Sequence, residues 1–334
     1  MKLLLRAIFL SSLILLLPTA QAGMFQIRDQ NPMVLPYGLP MQSYAELPDN
    51  GQWRGFVSYS RSRTEHSEGD PDGDEYLVVE GETARADLML FRGLERSWAL
   101  GLHIPLIEHT DNGLGEIIES TRETLGVDGS GDPEAGRLSF LYRRNGEDQL
   151  KFTRGVSGVG DIAMLLGYQW QRAGKSRLAL YLQFKLPTGD SGKLLGSGSV
   201  DYANWFSAST RVADRWLVNG DFGISMLGKG DILPDQQRRS VFFGGTGVEW
   251  IYRPRLRFKL QADYHSSVFR KTHLEFFDKV LMVSGGASLQ LSDTLYADFA
   301  VVDDFFRGRS PDVTVHFALR YHPGGVFYKE AVRE

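Results

Sequence analysis

Residues 177–186 alternate without a break: Leu178, Leu180, Leu182, Phe184 and Leu186 are interleaved with Arg177, Ala179, Tyr181, Gln183 and Lys185. A period of two puts one set on each face of a β-strand. The run is also long. Globular strands average about 5–6 residues, whereas a tilted membrane-crossing strand takes about 9–11. Comparable runs occupy 161–170 (Ile162, Met164, Leu166, Tyr168, Trp170), 215–226 (Trp216, Val218, Phe222, Ile224, Met226), 255–265 (Leu256, Phe258, Leu260, Ala262, Tyr264) and 312–321 (Val313, Val315, Phe317, Leu319, Tyr321). Weaker alternation marks 53–62, 82–92, 97–106, 201–212, 240–252, 279–291 and 295–303, giving twelve candidate strands. Short connections near 93–96, 171–176, 213–214, 253–254 and 292–294 alternate with longer polar ones rich in Gly and Asp. An even count with short turns at one end and long loops at the other predicts an all-β fold, a transmembrane antiparallel up-and-down β-barrel of about 12 strands.

The tryptophans agree with that layout. Five of the six, Trp53, Trp98, Trp170, Trp216 and Trp250, lie beside the shortest turns on the apolar side of the alternation. Indole rings favour the headgroup level of a membrane, so these five predict an aromatic girdle at the periplasmic rim. Tyr59, Tyr202 and Tyr264 are its expected outer counterparts. Trp205 falls on the other parity and is expected on the lumen face near the outer mouth, in reach of a passing solute.

The N-terminus has the form of a secretory signal: Lys2 and Arg6, an apolar run from Leu10 to Leu17, and Ala20-Gln21-Ala22 as a cleavage site. The run is too short to span a bilayer as a helix. The expected organisation is a signal peptide over 1–22 cleaved after Ala22, a periplasmic N-terminal segment or plug over 23–51, a barrel over 52–323 and a C-terminal tail over 324–334. The segment 23–51 is Pro-rich and lacks strand periodicity. The chain has no cysteine, hence neither a lipoprotein attachment point nor a disulfide framework. A formal net charge of −4 argues against a nucleic-acid partner. Outer-membrane lipids, lipopolysaccharide, the barrel-assembly machinery and a small-molecule solute are the expected partners, and the outer membrane of a Gram-negative bacterium the expected location.

Parity assigns the inward residues to depths. Arg177, Arg211, Arg215, Arg255, Arg257 and Arg320 fall near the periplasmic rim, opposed in sign by Glu249. Asp161, Asp201 and Asp263 fall near the outer rim together with Lys185. Arg85, Asp87, Asp221 and Asp298 lie between, and Lys259 shares the inward face of 255–265. Two readings are open: a charged, water-filled path that draws anionic or zwitterionic solutes inward, or charges that pair across a narrow lumen and close it.

Gly158-Val159-Gly160-Asp161-Ile162, followed by Leu186-Pro187-Thr188-Gly189-Asp190, then Gly196-Ser197-Gly198-Ser199 and Asp201, resembles the phenol-degradation-pathway (MetA-type) family of outer-membrane proteins. With Gln30-Asn31-Pro32 and Tyr37-Gly38-Leu39-Pro40, the mature chain more closely resembles a proteobacterial outer-membrane family with a domain-of-unknown-function label. The first resemblance implies passage of small hydrophobic or aromatic compounds. Read physically, Pro187 ends a strand and Thr188-Gly189-Asp190 supplies turn chemistry, a loop geometry that needs no ligand.

An enzyme is the competing class. His265 and Ser267 form an H-x-S pair that resembles that of outer-membrane phospholipases and lipid A deacylases. Two residues apart on a strand they share a face, and Glu275 or Asp278 would supply the orienting carboxylate. Parity points both into the lumen, where membrane lipid does not reach, and Val268 stands where the phospholipase pattern has Asn. A closed structural barrel whose loops carry the function is a third class. In the excursion 107–158, Glu116–Leu125 is expected to form a short helix, and 137–143 with 149–153 a hairpin around Asn145-Gly146. The acidic loops around Asp70 and Asp128 lack the Gly and final carboxylate of a calcium loop, and the seven histidines show no metal spacing, so neither metal nor cofactor is expected.

Overall fold

The computed structural model describes residues 23–111, 138–172, 174–306, 308–311 and 313–323. Fifteen strands form one antiparallel sheet. They are β1 (Trp53–Gly69), β2 (Glu75–Gly93), β3 (Trp98–Thr110), β4 (Ser139–Arg144), β5 (Glu147–Phe152), β6 (Val156–Val159), β7 (Ala163–Gln171) and β8 (Ser176–Lys185). The rest are β9 (Asp201–Ala213), β10 (Trp216–Met226), β11 (Ser240–Arg253), β12 (Leu256–His265), β13 (Val280–Gln290), β14 (Leu295–Asp304) and β15 (Val313–Tyr321). β1 pairs with β15 from Gly55↔Tyr321 to Arg63↔Val313, which closes the sheet. Strands β6 and β7 both pair with β3 and together make one stave, interrupted at 160–162. The result is a closed barrel of twelve staves, one for each alternating run.

Alternation decides which face is which. Mid-strand Phe222 and Leu260 are 67% and 61% exposed, whereas their inward neighbours Asp221 and Gln261 are buried. An apolar exterior with a polar interior inverts the globular rule and suits a wall surrounded by hydrocarbon. Trp53, Trp98, Trp170, Trp216 and Trp250 all lie at the end of the barrel that carries the short turns. Trp216 stacks on Trp250 at 5.9 Å, and Trp98 packs on Tyr168 at 4.8 Å.

β1 and β2 run well past the expected 53–62 and 82–92, pairing as far as Gly69↔Tyr76. The outer half of β1 carries polar residues on both faces (Arg63, Thr64, Glu65, His66, Ser67), so its hydrophobic alternation stops while the hydrogen-bond ladder to β2 continues. β4 and β5 form the expected hairpin, with Asn145 and Gly146 at φ +52° and +79°, and β4 extends the sheet along Glu75–Glu80. The expected helix at Glu116–Leu125 lies outside the described residues, as do the signal segment 1–22 and the tail 324–334.

The interior is packed. Residues 23–49 run inside the barrel in two limbs. The first climbs from Gly23 to a 3-10 turn at Leu35–Tyr37, where Gly38 reverses the chain at φ +60°. The second descends to the periplasmic end, where Arg172 holds Asp49 and Arg172 Nη2 donates to the carbonyl of Leu47 at 2.9 Å.

Candidate functional site: the filled lumen

Along both limbs, wall side chains take up the backbone groups that a non-helical, non-sheet segment leaves unpaired. Gln261 accepts from the Phe25 amide at 2.9 Å and donates to the Phe25 carbonyl at 3.2 Å. Gln169 does the same for Leu47 and Ala45, at 2.7 and 2.8 Å. Asp221 accepts from the Ser43 amide (3.2 Å), Ser207 donates to the Ser43 carbonyl (2.9 Å), and Tyr181 donates to the carbonyl of Tyr44. Gln42 Nε2 donates to Asp263 at 2.8 Å.

Two apolar patches of the wall hold the segment by burial. Met41, Tyr44 and Leu47 pack on Phe56, Met89, Phe91, Leu165, Tyr181, Trp205 and Phe243. Phe25 and Ile27 pack on Val280, Met282, Ala300 and Val302. Within the first patch Tyr181 and Trp205 are stacked at 5.1 Å, and Phe91 and Phe243 meet them edge-on. Trp205 is therefore not at the outer mouth. Its ring lies beneath the descending limb, with Nε1 donating to Ser43 Oγ at 3.0 Å.

The outer mouth is covered instead by a hydrophobic cap. Met33, Val34, Tyr37 and Leu39 at the tip of the segment share a core with Phe140 and Tyr142 of β4, and with Ile232, Leu233, Phe269, Phe276 and Phe277 of the long outer loops. Asn31 Nδ2 donates to the carbonyls of Phe276 and Arg309, and Tyr37 donates to the carbonyl of Ile232 at 2.8 Å.

The lumen charges are largely paired. Near the periplasmic end Arg320 holds Asp298 through two nitrogens and donates to Ser288 Oγ at 2.9 Å. Lys259 is 3.6 Å from the same Asp298, and Arg257 is 3.5 Å from Glu249. Midway, Asp87 accepts from Arg85 at 2.9 Å and stands 2.6 Å from His103 Nε2. Arg177 is buried and caps a periplasmic turn by donating to the carbonyl of Gly174 at 2.9 Å, and Arg211 is half-buried at the same end. Arg215 and Arg255 are not in the lumen. Both occupy two-residue turns beyond the strand ends and are exposed, because the alternation that assigned them inward stops one residue earlier.

The glycine- and serine-rich motif closes on itself. Asp161 accepts from the amides of Gly189 and Ser197, both at 2.9 Å, and binds Lys185. Lys185 also donates to Ser197 Oγ (2.6 Å) and lies 2.9 Å from Asp201, which accepts from Ser199 Oγ and the Gly228 amide. A Cβ on Gly196 would meet Asp161 Oδ1 at 2.2 Å, so only glycine fits there. Loops far apart in sequence are clamped at the outer rim around one buried cation between two carboxylates.

The hydrolase constellation is not assembled. β12 ends at His265, so Ser267 lies beyond the strand and the shared-face argument fails. Ser267 Oγ is engaged with the carbonyls of Phe269 and Phe277, both at 2.6 Å. His265 Nε2 faces Asp29 at 3.0 Å, and Asp29 accepts from Ser310. Glu275 is exposed in a 3-10 turn, and Asp278 pairs with Arg309. Sequence reasoning missed Asp29, Gln42 and Ser43 as wall partners. The density of amide and hydroxyl side chains in 23–51 (Gln26, Gln30, Asn31, Gln42, Ser43) was the signal available.

Closed strand order, outward aromatic rim and filled lumen define the chain as a twelve-stave barrel of the type found in outer-membrane channels of Gram-negative bacteria. It belongs to the DUF3187 family, described as a protein of unknown function, whose model matches residues 4–322. No curated protein matches it. Among solved structures, an outer-membrane channel of Pseudomonas putida F1 is 12% identical, with 83% of this chain and 96% of that one covered and a TM-score of 0.55. The toluene transporter TbuX of Ralstonia pickettii is also 12% identical, covering 91% of this chain and 96% of that one, with a TM-score of 0.42. These likenesses concern the fold.

Proposed function

We propose that the chain is a gated outer-membrane channel for passive uptake of small hydrophobic molecules, exported by a signal peptide over 1–22 and seated among outer-membrane lipids and lipopolysaccharide. The observation that carries this reading is the aromatic patch Phe91–Tyr181–Trp205–Phe243. Met41, Tyr44 and Leu47 of the descending limb pack against it. Withdrawal of that limb would uncover these rings as an aromatic stretch of the lumen wall. Such a wall suits solutes with an aromatic or aliphatic body, in keeping with the resemblance of the Gly158–Asp201 motif to proteins of phenol-degradation pathways.

The test is planar-bilayer conductance of the mature chain with and without residues 23–51. A large steady conductance only after deletion is expected. Silence in both preparations would instead support a closed structural barrel, a reading favoured by the paired lumen charges and the buried cap. A second measurement addresses the cargo: small aromatic solutes should quench the fluorescence of Trp205 in the deleted form, read against a Trp205→Phe control.

A further inference from the structure

The first described residue of the ascending limb lies against an unusual carboxylate. Glu249 is completely buried near the periplasmic end of β11. Its Oε2 is 3.4 Å from the Gly23 nitrogen, and its Oε1 accepts no hydrogen bond. Arg257 approaches that Oε1 only to 3.5 Å, and Lys259, the register partner of Glu249 on β12, is 3.6 Å from Asp298. A peptide N–H offers Glu249 one neutral donor. An ammonium group at the same position offers three donors and a full charge to a buried carboxylate whose other oxygen has the Arg257 guanidinium at 3.5 Å but accepts no hydrogen bond.

We propose that export processing creates this partner: hydrolysis of the Ala22–Gly23 bond generates an α-ammonium group that pairs with Glu249 and fastens the lumen segment. Water adds across the amide and the C–N bond breaks. Ala22 keeps the carboxylate, and the Gly23 nitrogen leaves as an amine that takes up the released proton. The inference rests on the signal-peptide reading and is independent of what the channel carries. Two features fit it. A Cβ at Gly23 would come within 2.8 Å of Arg320 Nη1, so a terminal residue without a side chain leaves the Arg320–Asp298 pair undisturbed. Just beyond it, the two-way bond between Phe25 and Gln261, with Lys259 Nζ 4.9 Å from the Phe25 ring centre, fixes the direction in which the terminus points.

The experiment has two parts. Intact mass of the protein recovered from outer membranes should show Gly23 as the first residue. Acylation by an α-amine-selective reagent near neutral pH, followed by peptide mapping, then reads whether that amine is docked. In the folded wild type it should react at least about tenfold more slowly than in the urea-unfolded chain. Glu249→Gln should return the rate toward the unfolded value. A chain with a Gly-Ser extension before Gly23, which leaves every lumen residue intact, should place its new amine in solvent and react fast. A different first residue overturns the processing step. A folded wild type that reacts as fast as the unfolded chain overturns the docking, and an unchanged rate in Glu249→Gln overturns the choice of partner.

Discussion

Lys185 is a buried ammonium between Asp161 and Asp201, the two carboxylates of the outer-rim clamp. Removing one partner of such a group leaves uncompensated buried charge, which costs about 3–5 kcal/mol. Lys185→Met should therefore lower the urea midpoint of the refolded barrel by a corresponding amount, and adding Asp201→Asn should recover part of the loss. Gly196→Ala should destabilise the clamp by about 1–3 kcal/mol in the same assay, because its Cβ has no room beside Asp161. At this scale parity located a set of residues inside strands: Arg177, Lys185, Asp221, Arg257, Lys259, Asp263 and Arg320 are all buried on the inward face. It misled at strand ends. Arg215 and Arg255 lie one residue before β10 and β12 begin, and Ser267 two residues after β12 ends, so a period of two does not apply to them.

At the scale of elements, all twelve staves were legible, since a wall with lipid on one side and polar groups on the other writes its alternation into every strand. The lumen segment was not. Its partners lie more than a hundred residues away for Leu47, Ser43 and Phe25, and a chain held by scattered amides and hydroxyls has no period to detect. The cap is the element most open to test. Tyr142 in β4 donates to Glu75 at 2.7 Å and accepts from Gln236 at 2.9 Å, joining the hairpin to the start of β2 and to the loop after β10. Burial, and then the bond to Glu75, push this phenol up to about 12. A group whose folded value is raised contributes its stability below the unfolded value near 10.0 and loses it as the pH climbs toward 12. Limited proteolysis of the outer loops should therefore accelerate over that alkaline window in the wild type. Tyr142→Phe should show raised cleavage already at neutral pH and no further step.

At the scale of the molecule, the barrel has the wall of a membrane protein around the centre of a globular one. Its side chains pack inside as they would in a soluble core, and the hydrophobic cap seals the far end. Release of the cap and withdrawal of the lumen segment are thus two closures in series. Tyr142→Phe alone should leave conductance low, whereas deletion of residues 23–51 removes the tip from the cap and opens both at once. The two-limbed path of residues 23–49 also bears on how such a molecule can be built. The tip shares its core with β4 and with the loops after β10 and β12, so that core cannot form until strands from both sides of the β1–β15 seam are in place. Sealing the seam and condensing the interior become a single late event in assembly. A chain cut short before β15 would be left with an open cylinder and its lumen segment, residues 23–49, unpacked, a ready target for quality-control proteases.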